Sequence, residues 1–334
     1  INNETKKMKV LQISKFGEIT DSLFINEVNK PTIQSTDILV EVKAASINPI
    51  DKSTVLGNMQ NILPISLPHT IAYDVSGIVV EKGEEVTNFE IGDLIYSRVP
   101  QEQMGTIAEF VAITNSAVSK KPGNISFEEA SGIPLAGLTA MQSLEYAGIK
   151  ENDKILIHAG SGGVGSFAIQ YAKAKGAYVY TTTSTSNVDW VKELGADRVI
   201  DYKTEDYKSI VKDADIVFDT LGKNYTLEAF EVIKKRGKVV SVVGPIDEEI
   251  AKMIGMADYK LPEDLAKLIE DKEATYKFIF MHPNGEHLNT IKTLIEDDKI
   301  KPIIDTVYPF EKSIEAFTHL ESGRAKGKIV IKIN

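Results

Sequence analysis

The 334-residue chain contains no cysteine. That absence excludes disulfides, thiolate metal ligation and any cysteine nucleophile. No stretch approaches the roughly 18 uninterrupted apolar residues of a transmembrane helix, so no membrane partner is expected. Repeats and low-complexity tracts are also missing. Basic residues are outnumbered, 38 Lys and Arg against 48 Asp and Glu, for a formal net charge of −10. An acidic chain repels phosphate backbones, which argues against nucleic acid as a main partner. The local cluster Lys234-Lys235-Arg236 reads as a solvated helix end before Gly237. The opening residues 1–9 are polar and lysine-rich, and the apolar run after them is broken at Gln12 and Ser14. That pattern is not a signal peptide, and the cytoplasm is the default expectation.

What is present is an ordinary globular composition, 43% hydrophobic and 26% charged, in a chain long enough for about two domains. The first part is β-rich. Residues 38–45 (ILVEVKAA), 73–81 (YDVSGIVVE) and 106–113 (TIAEFVAI) read as strands, separated by glycine- and proline-containing turns. The texture changes near 126, where Ser126 and Glu129 form a capping box that opens a helix over 127–132. Strands and helices then alternate. Strands are expected at 154–159, 177–183, 198–200, 216–219 and 238–243, and helices at 166–175, 188–194 and 227–234. Such alternation builds a parallel sheet covered on both faces. Beyond 282 come helices at 287–296 and within 309–320, and a closing strand at 328–333. The expected arrangement is an α/β chain with a discontinuous outer domain, 1–126 plus 283–334, and a nucleotide domain, 127–282, inserted between its parts.

The sharpest local signal is His158-Ala159-Gly160-Ser161-Gly162-Gly163-Val164-Gly165, in which Gly160, Gly162 and Gly165 fit G-x-G-x-x-G. It follows a predicted strand and opens a predicted helix, the context that gives the pattern meaning. Gly160 permits a tight turn, Gly162 lets the backbone approach a pyrophosphate, and Gly165 lets the helix pack close to the strand. The helix N-terminus then offers free N–H donors to phosphate. The competing reading is a purely structural glycine turn. Sites that prefer NAD place Asp or Glu about 20 residues on. Here that stretch is Thr181-Thr182-Thr183-Ser184-Thr185-Ser186-Asn187, with no acid before Asp189. Hydroxyls and amides can donate to a 2′-phosphate, so NADP(H) is favoured, although no Arg or Lys stands in the loop. A polar turn capping the next helix explains the same residues structurally.

These segments, taken together, resemble the medium-chain dehydrogenase/reductase superfamily, in particular its zinc-independent quinone-oxidoreductase, zeta-crystallin-like branch. Residues 45–51 (ASINPID), 71–77 (IAYDVSG), 86–93 (VTNFEIGD), 105–110 (GTIAEF), 138–140 (LTA), the glycine turn, and 194–197 with 199–202 (LGAD, VIDY) match that family's motifs in order and spacing over nearly the full length. The resemblance implies a GroES-like β-barrel domain and a Rossmann domain, with the active site between them. It implies that Gly162, Gly163 and Val164 meet pyrophosphate, that Ser184, Asn187 and Tyr202 surround the adenosine 2′-phosphate, and that Thr139, Leu221, Gly222 and Gly244 line the cofactor groove. Asn48 and Asp51 would lie near nicotinamide and substrate. Three departures stand out. Ala72 replaces the usual glycine, Ser53 stands where many relatives carry lysine, with Lys52 one position early, and Ser186 replaces a basic residue of the 2′-phosphate loop.

Zinc-dependent relatives use Cys and a Gly-His-Glu histidine, whereas this chain has no Cys and carries Tyr73-Asp74 at the second place. Its five histidines are scattered, and the closest pair, His282 and His287, is not spaced to share a helix face. No metal site is expected. Without a metal, a developing oxyanion needs hydrogen-bond donors, which suits easily reduced acceptors: quinones and α,β-unsaturated carbonyls. The candidate catalytic groups are Asn48, Asp51, Lys52 and Tyr73. Each has a structural alternative: Asn48 as a turn former before Pro49, Asp51 as a helix cap, Lys52 as surface, Tyr73 as core. Residues 276–281 (YKFIFM) form an apolar strand that, at a sheet edge, would need a partner. A homodimer through that strand is expected, the alternative being a buried internal strand. The expected activity is NADPH-dependent reduction of a quinone or enone, and the alternative is a family member that binds cofactor with little turnover.

Overall fold

A computed structural model describes residues 6–334. The chain forms two compact units, one made of residues up to 138 with 282–298 and 302–334, the other of 139–281 with 299–301. The strands of the first, outer unit are β1 (Lys7–Ile13), β2 (Leu23–Asn29), β3 (Asp37–Ile47), β4 (His69–Thr70), β5 (Asp74–Lys82), β6 (Leu94–Arg98), β7 (Phe110–Thr114) and β8 (Val118–Lys120). The nucleotide unit carries β9 (Lys154–Ile157), β10 (Tyr178–Thr183), β11 (Arg198–Asp201), β12 (Ala214–Asp219), β13 (Ile233–Ser241) and β14 (Thr275–Phe278). The chain then returns to the outer unit with β15 (Ile304–Pro309) and β16 (Lys328–Lys332).

In the outer unit, a small β2-β1-β4 sheet accompanies a larger one ordered β15-β16-β3-β5-β6-β8, with β7 also on β3. β3 is the hub. Its register against β5 slips at Leu39/Val40 and at Val42/Ala44, and such bulges bend a strand. Residues 37–41 of β3 pair with β7, and 44–47 pair with β16. Ile38, Leu39, Val40, Val42, Ala44 and Ala45 are all buried, so the apparent alternation of 38–45 reflects only half-buried Glu41 and Lys43. One core cluster joins Leu11, Ile13, Ile47, Ile71 and Phe317, and another joins Val40, Val75, Val79, Ile95 and Val111.

The predicted capping box is present. Glu129 N donates to Ser126 Oγ and Ser126 N donates to Glu129 Oε1, each at 3.1 Å, opening the helix Phe127–Ser131. That helix packs on β3 and β5, and Ser76 Oγ donates to Phe127 O at 2.6 Å. These contacts carry the outer unit past the expected boundary at 126 to 138. The expected strand over 106–113 begins only at Phe110. Before it, Gly105 has φ +138, and the amides of Gly105, Thr106 and Ile107 donate to the carbonyls of Ala72, Ala72 and Ile71, which diverts the backbone from the ladder.

The nucleotide unit is a fully parallel sheet ordered β11-β10-β9-β12-β13-β14. Ile155, Leu156, Ile157, Val217, Phe218, Val239 and Val240 are buried within it, as strands covered on both faces must be. The strand order reverses direction at β9 and β12, a switch point in the doubly wound topology. The basic cluster 234–236 is not a helix end. The helix Asn224–Val232 stops first, because Ile233 pairs with Ala214 at the start of β13. Its exposed cations pair instead with Asp215 and Glu273. β14 is an outermost strand of this sheet, not an internal one. Among the described residues no helix is long and apolar enough to cross a membrane.

Candidate functional site

The glycine turn leaves β9 and enters the helix Gly163–Ala174, which starts earlier than the expected 166. Gly160 N donates to Thr182 O at 2.9 Å, and Ala159 N donates to Thr182 Oγ1 at 3.2 Å, pinning the turn to β10. A Cβ on Gly160 would stand 2.4 Å from Thr181 Oγ1, and one on Gly165 would stand 2.1 Å from Ala159 O. Both glycines are therefore dictated by packing inside the protein. Gly162 is different. With φ −79° it needs no special conformation, and a Cβ there would meet only Ala159 O, at 3.4 Å. The protein itself does not require a glycine at 162, so the space above its Cα is a cradle that a side chain would fill. Gly162 is also the helix N-cap and provides no side-chain cap. The first-turn amides of the helix are left to a ligand or to water.

Apart from Thr139, the other residues expected to bind cofactor follow the carboxyl ends of neighbouring strands. Asn187 Nδ2 donates to Ser184 Oγ at 3.0 Å, and the indole of Trp190 donates to Asn187 Oδ1 at 2.9 Å. The indole bond fixes which way the amide faces, and the Ser184 hydroxyl keeps its own proton to donate. Tyr202, Leu221 and Val243 follow β11, β12 and β13 and are 53%, 39% and 51% exposed. Exposed apolar side chains at the carboxyl ends of parallel strands mark the crevice where α/β sheets bind ligands. Thr220 Oγ1 donates to His158 O at 3.1 Å, tying the ends of β12 and β9. Thr139 is buried in the helix Pro134–Tyr146. One acid escaped the sequence reading. The hydroxyl of Thr185 donates to Asp201 Oδ2 at 2.7 Å, because the parallel register brings Asp201 beside Thr183.

In the outer unit, Asn48 caps the helix Pro49–Val55 and Asp51 lies in its first turn. Asn48 N donates to Asp51 Oδ2 at 2.8 Å, while Asp51 Oδ1 is buried without a partner. Burial pushes the Asp51 carboxyl up to about 7, helped by Asp74 and opposed by its own backbone bond, Lys328 and Arg98. The Asn48 side chain is 2% exposed and already engaged. Its Nδ2 donates to Asp74 Oδ2 at 2.9 Å, and its Oδ1 accepts from the Lys328 ammonium, which also donates to Ile47 O at 2.8 Å. Asp74 further accepts from Ser46 Oγ and Leu135 N, both at 2.9 Å.

Tyr73 is buried beneath the Arg98 guanidinium, 4.2 Å from its ring. Burial pushes its hydroxyl up to about 12, so it keeps its proton at neutral pH. Tyr73 and Asp74 are both buried, and Tyr73 immediately precedes β5. The structure thus brings Asn48, Asp51 and Tyr73 into one buried polar cluster. Lys52, half-exposed on the same helix, takes no part in the hydrogen bonds of that cluster. The cluster members missed by sequence reasoning are Ser46, Asp74, Arg98 and Lys328. Asp74 lay inside a recognised motif, whereas Lys328 is 280 positions from Asn48 and no spacing could join them.

His282 and His287 do approach, with ring centroids 5.7 Å apart, because His282 precedes the helix Gly285–Glu296 rather than sharing its face. Among the described residues no group of three or more His, Cys, Asp or Glu is arranged to hold a metal ion.

A family model described as an alcohol dehydrogenase GroES-like domain matches residues 34–123, and one described as a zinc-binding dehydrogenase matches residues 194–331. The chain is 33% identical to a 2-methylene-furan-3-one reductase of Solanum lycopersicum, over 97% of this chain and 79% of that protein. It is 32% identical to a chloroplastic NADPH-dependent alkenal/one oxidoreductase of Arabidopsis thaliana, over 98% of this chain and 80% of that protein. Its fold matches the quinone oxidoreductase of Coxiella burnetii with a TM-score of 0.85 at 31% identity, covering 98% of this chain and 100% of that one. The two-unit architecture, the glycine turn and full-length identity above 30% agree: the chain is an oxidoreductase of the medium-chain dehydrogenase/reductase superfamily.

Proposed function

We propose that the protein is a zinc-independent, NADPH-dependent reductase of quinones or α,β-unsaturated carbonyl compounds. The observation that carries this reading is Gly162: an open cradle at an uncapped helix N-terminus, beside a switch point of a parallel sheet, with no packing reason to be glycine. Gly160 and Gly165 shape the turn, and the amides of Gly163, Val164 and Gly165 take the pyrophosphate. Ser184 and Asn187, oriented by Trp190, donate to the 2′-phosphate, and Tyr202 flanks the adenosine. Leu221, Gly222, Gly244 and Thr139 line the groove.

NADPH supplies the hydride. The chain's own residues must then serve the substrate oxygen and deliver one proton. Tyr73, which holds its proton at neutral pH, is a hydrogen-bond donor. Asp51, near half-protonation at about pH 7, can hold the proton that completes the reduction. Asn48 acts chiefly through the orientation of this cluster, since its amide is already bonded on both sides. Lys52 retains only a peripheral role. The lack of any cysteine removes thiolate ligation, and Tyr73-Asp74 occupies the place where zinc-binding relatives carry His-Glu.

The relatives named for enone and quinone reduction support this substrate class. The assembly we propose is a homodimer through 276–281, supported by the position of β14 at the edge of the sheet. Titration with NADPH and with NADH, followed by steady-state turnover against a panel of quinones and enals with and without chelator, tests the reading. Chelator-insensitive turnover with NADPH preferred is expected. Tight nucleotide binding without turnover of any acceptor would replace it with a binding role, and chelator loss rescued by zinc would overturn the metal-free chemistry.

A further inference from the structure

Asp219 ends β12 with its side chain fully buried. Among the described residues no cation bonds to it. Four neutral donors do. Oδ1 accepts from Leu221 N at 3.0 Å and Gly222 N at 2.8 Å, and Oδ2 accepts from Thr226 Oγ1 at 2.5 Å and Ser241 Oγ at 2.8 Å. One carboxylate therefore reaches two turns that leave adjacent strands, 220–222 after β12 and 242–244 after β13.

The second link is a relay. Ser241 Oγ accepts from Gly244 N at 2.8 Å and Val243 N at 3.3 Å. With two amides directed at its oxygen, the Ser241 hydroxyl gives its proton to the Asp219 carboxylate. The same hydroxyls set the space around Gly244. A Cβ there would stand 2.8 Å from Tyr276 Oη, 2.9 Å from Ser241 Oγ and 3.0 Å from Thr226 Oγ1. Tyr276 Oη in turn donates to Pro245 O at 2.5 Å. The 242–245 turn is thus clamped from both sides, and Asp219 is the acceptor on which the clamp closes.

We propose that Asp219 is a positioning residue that sets the distance between the 220–222 and 242–244 turns, and through it the affinity for the nicotinamide nucleotide. The inference rests on the reading of Leu221, Gly222 and Gly244 as lining the cofactor groove. It assigns Asp219 no contact with the cofactor.

Asp219→Asn is nearly isosteric but cannot accept four donors. Its amide oxygen can keep Leu221 N and Gly222 N. Its NH2 then faces Ser241 Oγ, whose lone pairs are taken, so the bonds to Val243 N and Gly244 N must yield. The expected result is a rise of about tenfold in Kd and KM for NADPH, the scale of one buried donor left unpaired, with kcat changed by less than about threefold. Ser241→Ala breaks the relay from its other end and carries the test if Asp219→Asn fails to fold. The double variant should bind NADPH no more weakly than the worse single one, since both remove one relay. Two outcomes overturn the proposal: lowered thermal stability with unchanged NADPH affinity, or additive losses in the double variant. Failure of the wild-type protein to bind NADPH or NADH would instead remove the cofactor reading, and this inference with it.

Discussion

At the carboxyl end of β9 the chain leaves main-chain donors uncapped and open, whereas in the outer unit it hides Asp51, Asp74, Arg98 and Lys328 from water. The first region offers backbone groups whose direction is fixed by a helix and whose charge does not depend on pH. The second offers ionisable side chains whose state depends on burial and on one another. Under the proposed function, the contrast divides the labour that hydride transfer needs. A diphosphate with permanent negative charge is well served by amides that cannot titrate. A proton must be held and released, which requires a group poised near the working pH. Substitutions in the two regions should therefore fail in different ways.

The largest effect should come from Gly165→Ala. Its Cβ would fall 2.1 Å from Ala159 O, a backbone atom that no side-chain rotation can move. The turn must open, and nucleotide affinity should fall by more than about a hundredfold alongside a loss of about 2–3 kcal/mol in stability, the upper range for overpacking. Gly162→Ala sharpens the comparison. Its Cβ meets one atom at an ordinary 3.4 Å, so thermal stability should stay within about 0.5 kcal/mol of wild type. NADPH affinity should still drop by about tenfold or more, because the methyl occupies the approach of the pyrophosphate. Parallel thermal melts and fluorescence titrations read both. Equal nucleotide affinity in Gly162→Ala would mean that the cradle holds nothing.

In the outer unit the expected signature is pH dependence. The Asp51 carboxyl stands at about 7 in the folded protein against 3.8 when free, so folding favours its protonated form. Its contribution to stability is complete below about pH 4 and is lost progressively as pH rises through 7. Asp51→Asn, which keeps the neutral shape, should flatten stability between pH 4 and pH 8. It should also remove an ionisation near 7 from the pH profile of kcat/KM. Urea melts across that range check the first half and initial rates the second. A profile unchanged by the substitution would take Asp51 out of proton handling.

The same contrast explains what could be read from the sequence. Glycine spacing and strand–helix alternation are local, so the parallel sheet and its glycine turn were legible, whereas the sequence left open whether 276–281 lay at an edge or inside the sheet, and the strand found there is Thr275–Phe278. So was the capping box at Ser126 and Glu129. The outer cluster was half legible. Asn48, Asp51 and Tyr73 lie in short motifs, but Lys328 and Arg98 reach them only through the pairing of β16 with β3 and of β6 with β5. Lys52 stands apart from Asp51 because a helix turns its neighbours by about 100° per residue, and the buried face belongs to Asp51. Likewise Asp201, though inside the quoted VIDY motif, could not be placed beside Thr185 from the sequence, since a parallel register, not sequence distance, sets it against Thr183.

A smaller effect is expected at Ser184. Ser184→Ala removes a hydroxyl whose proton is free to donate, because Asn187 supplies the hydrogen bond that Ser184 accepts. It should reduce the preference for NADPH over NADH by about three- to tenfold, the value of one ordinary hydrogen bond. Trp190, the only tryptophan, reports on the same chain of bonds through Asn187, so NADPH should perturb its fluorescence more than NADH does. Equal responses would place the 2′-phosphate elsewhere.

The smallest effect tests the departure at residue 72, where the family pattern has glycine. Ala72 is fully buried with φ +87°, a region that costs a residue with a Cβ about 1–2 kcal/mol. Its carbonyl nevertheless accepts from both Gly105 N and Thr106 N, so the surrounding backbone holds it there. Ala72→Gly should relieve that strain while adding about 0.4–1 kcal/mol of unfolded-state entropy. The net change should be a gain of no more than about 1 kcal/mol, read as a small rise in the thermal midpoint with kcat/KM unaltered. A loss of stability instead would mean that the Ala72 methyl, packed among Leu11, Ile71 and Ile107, contributes more than the strain removes.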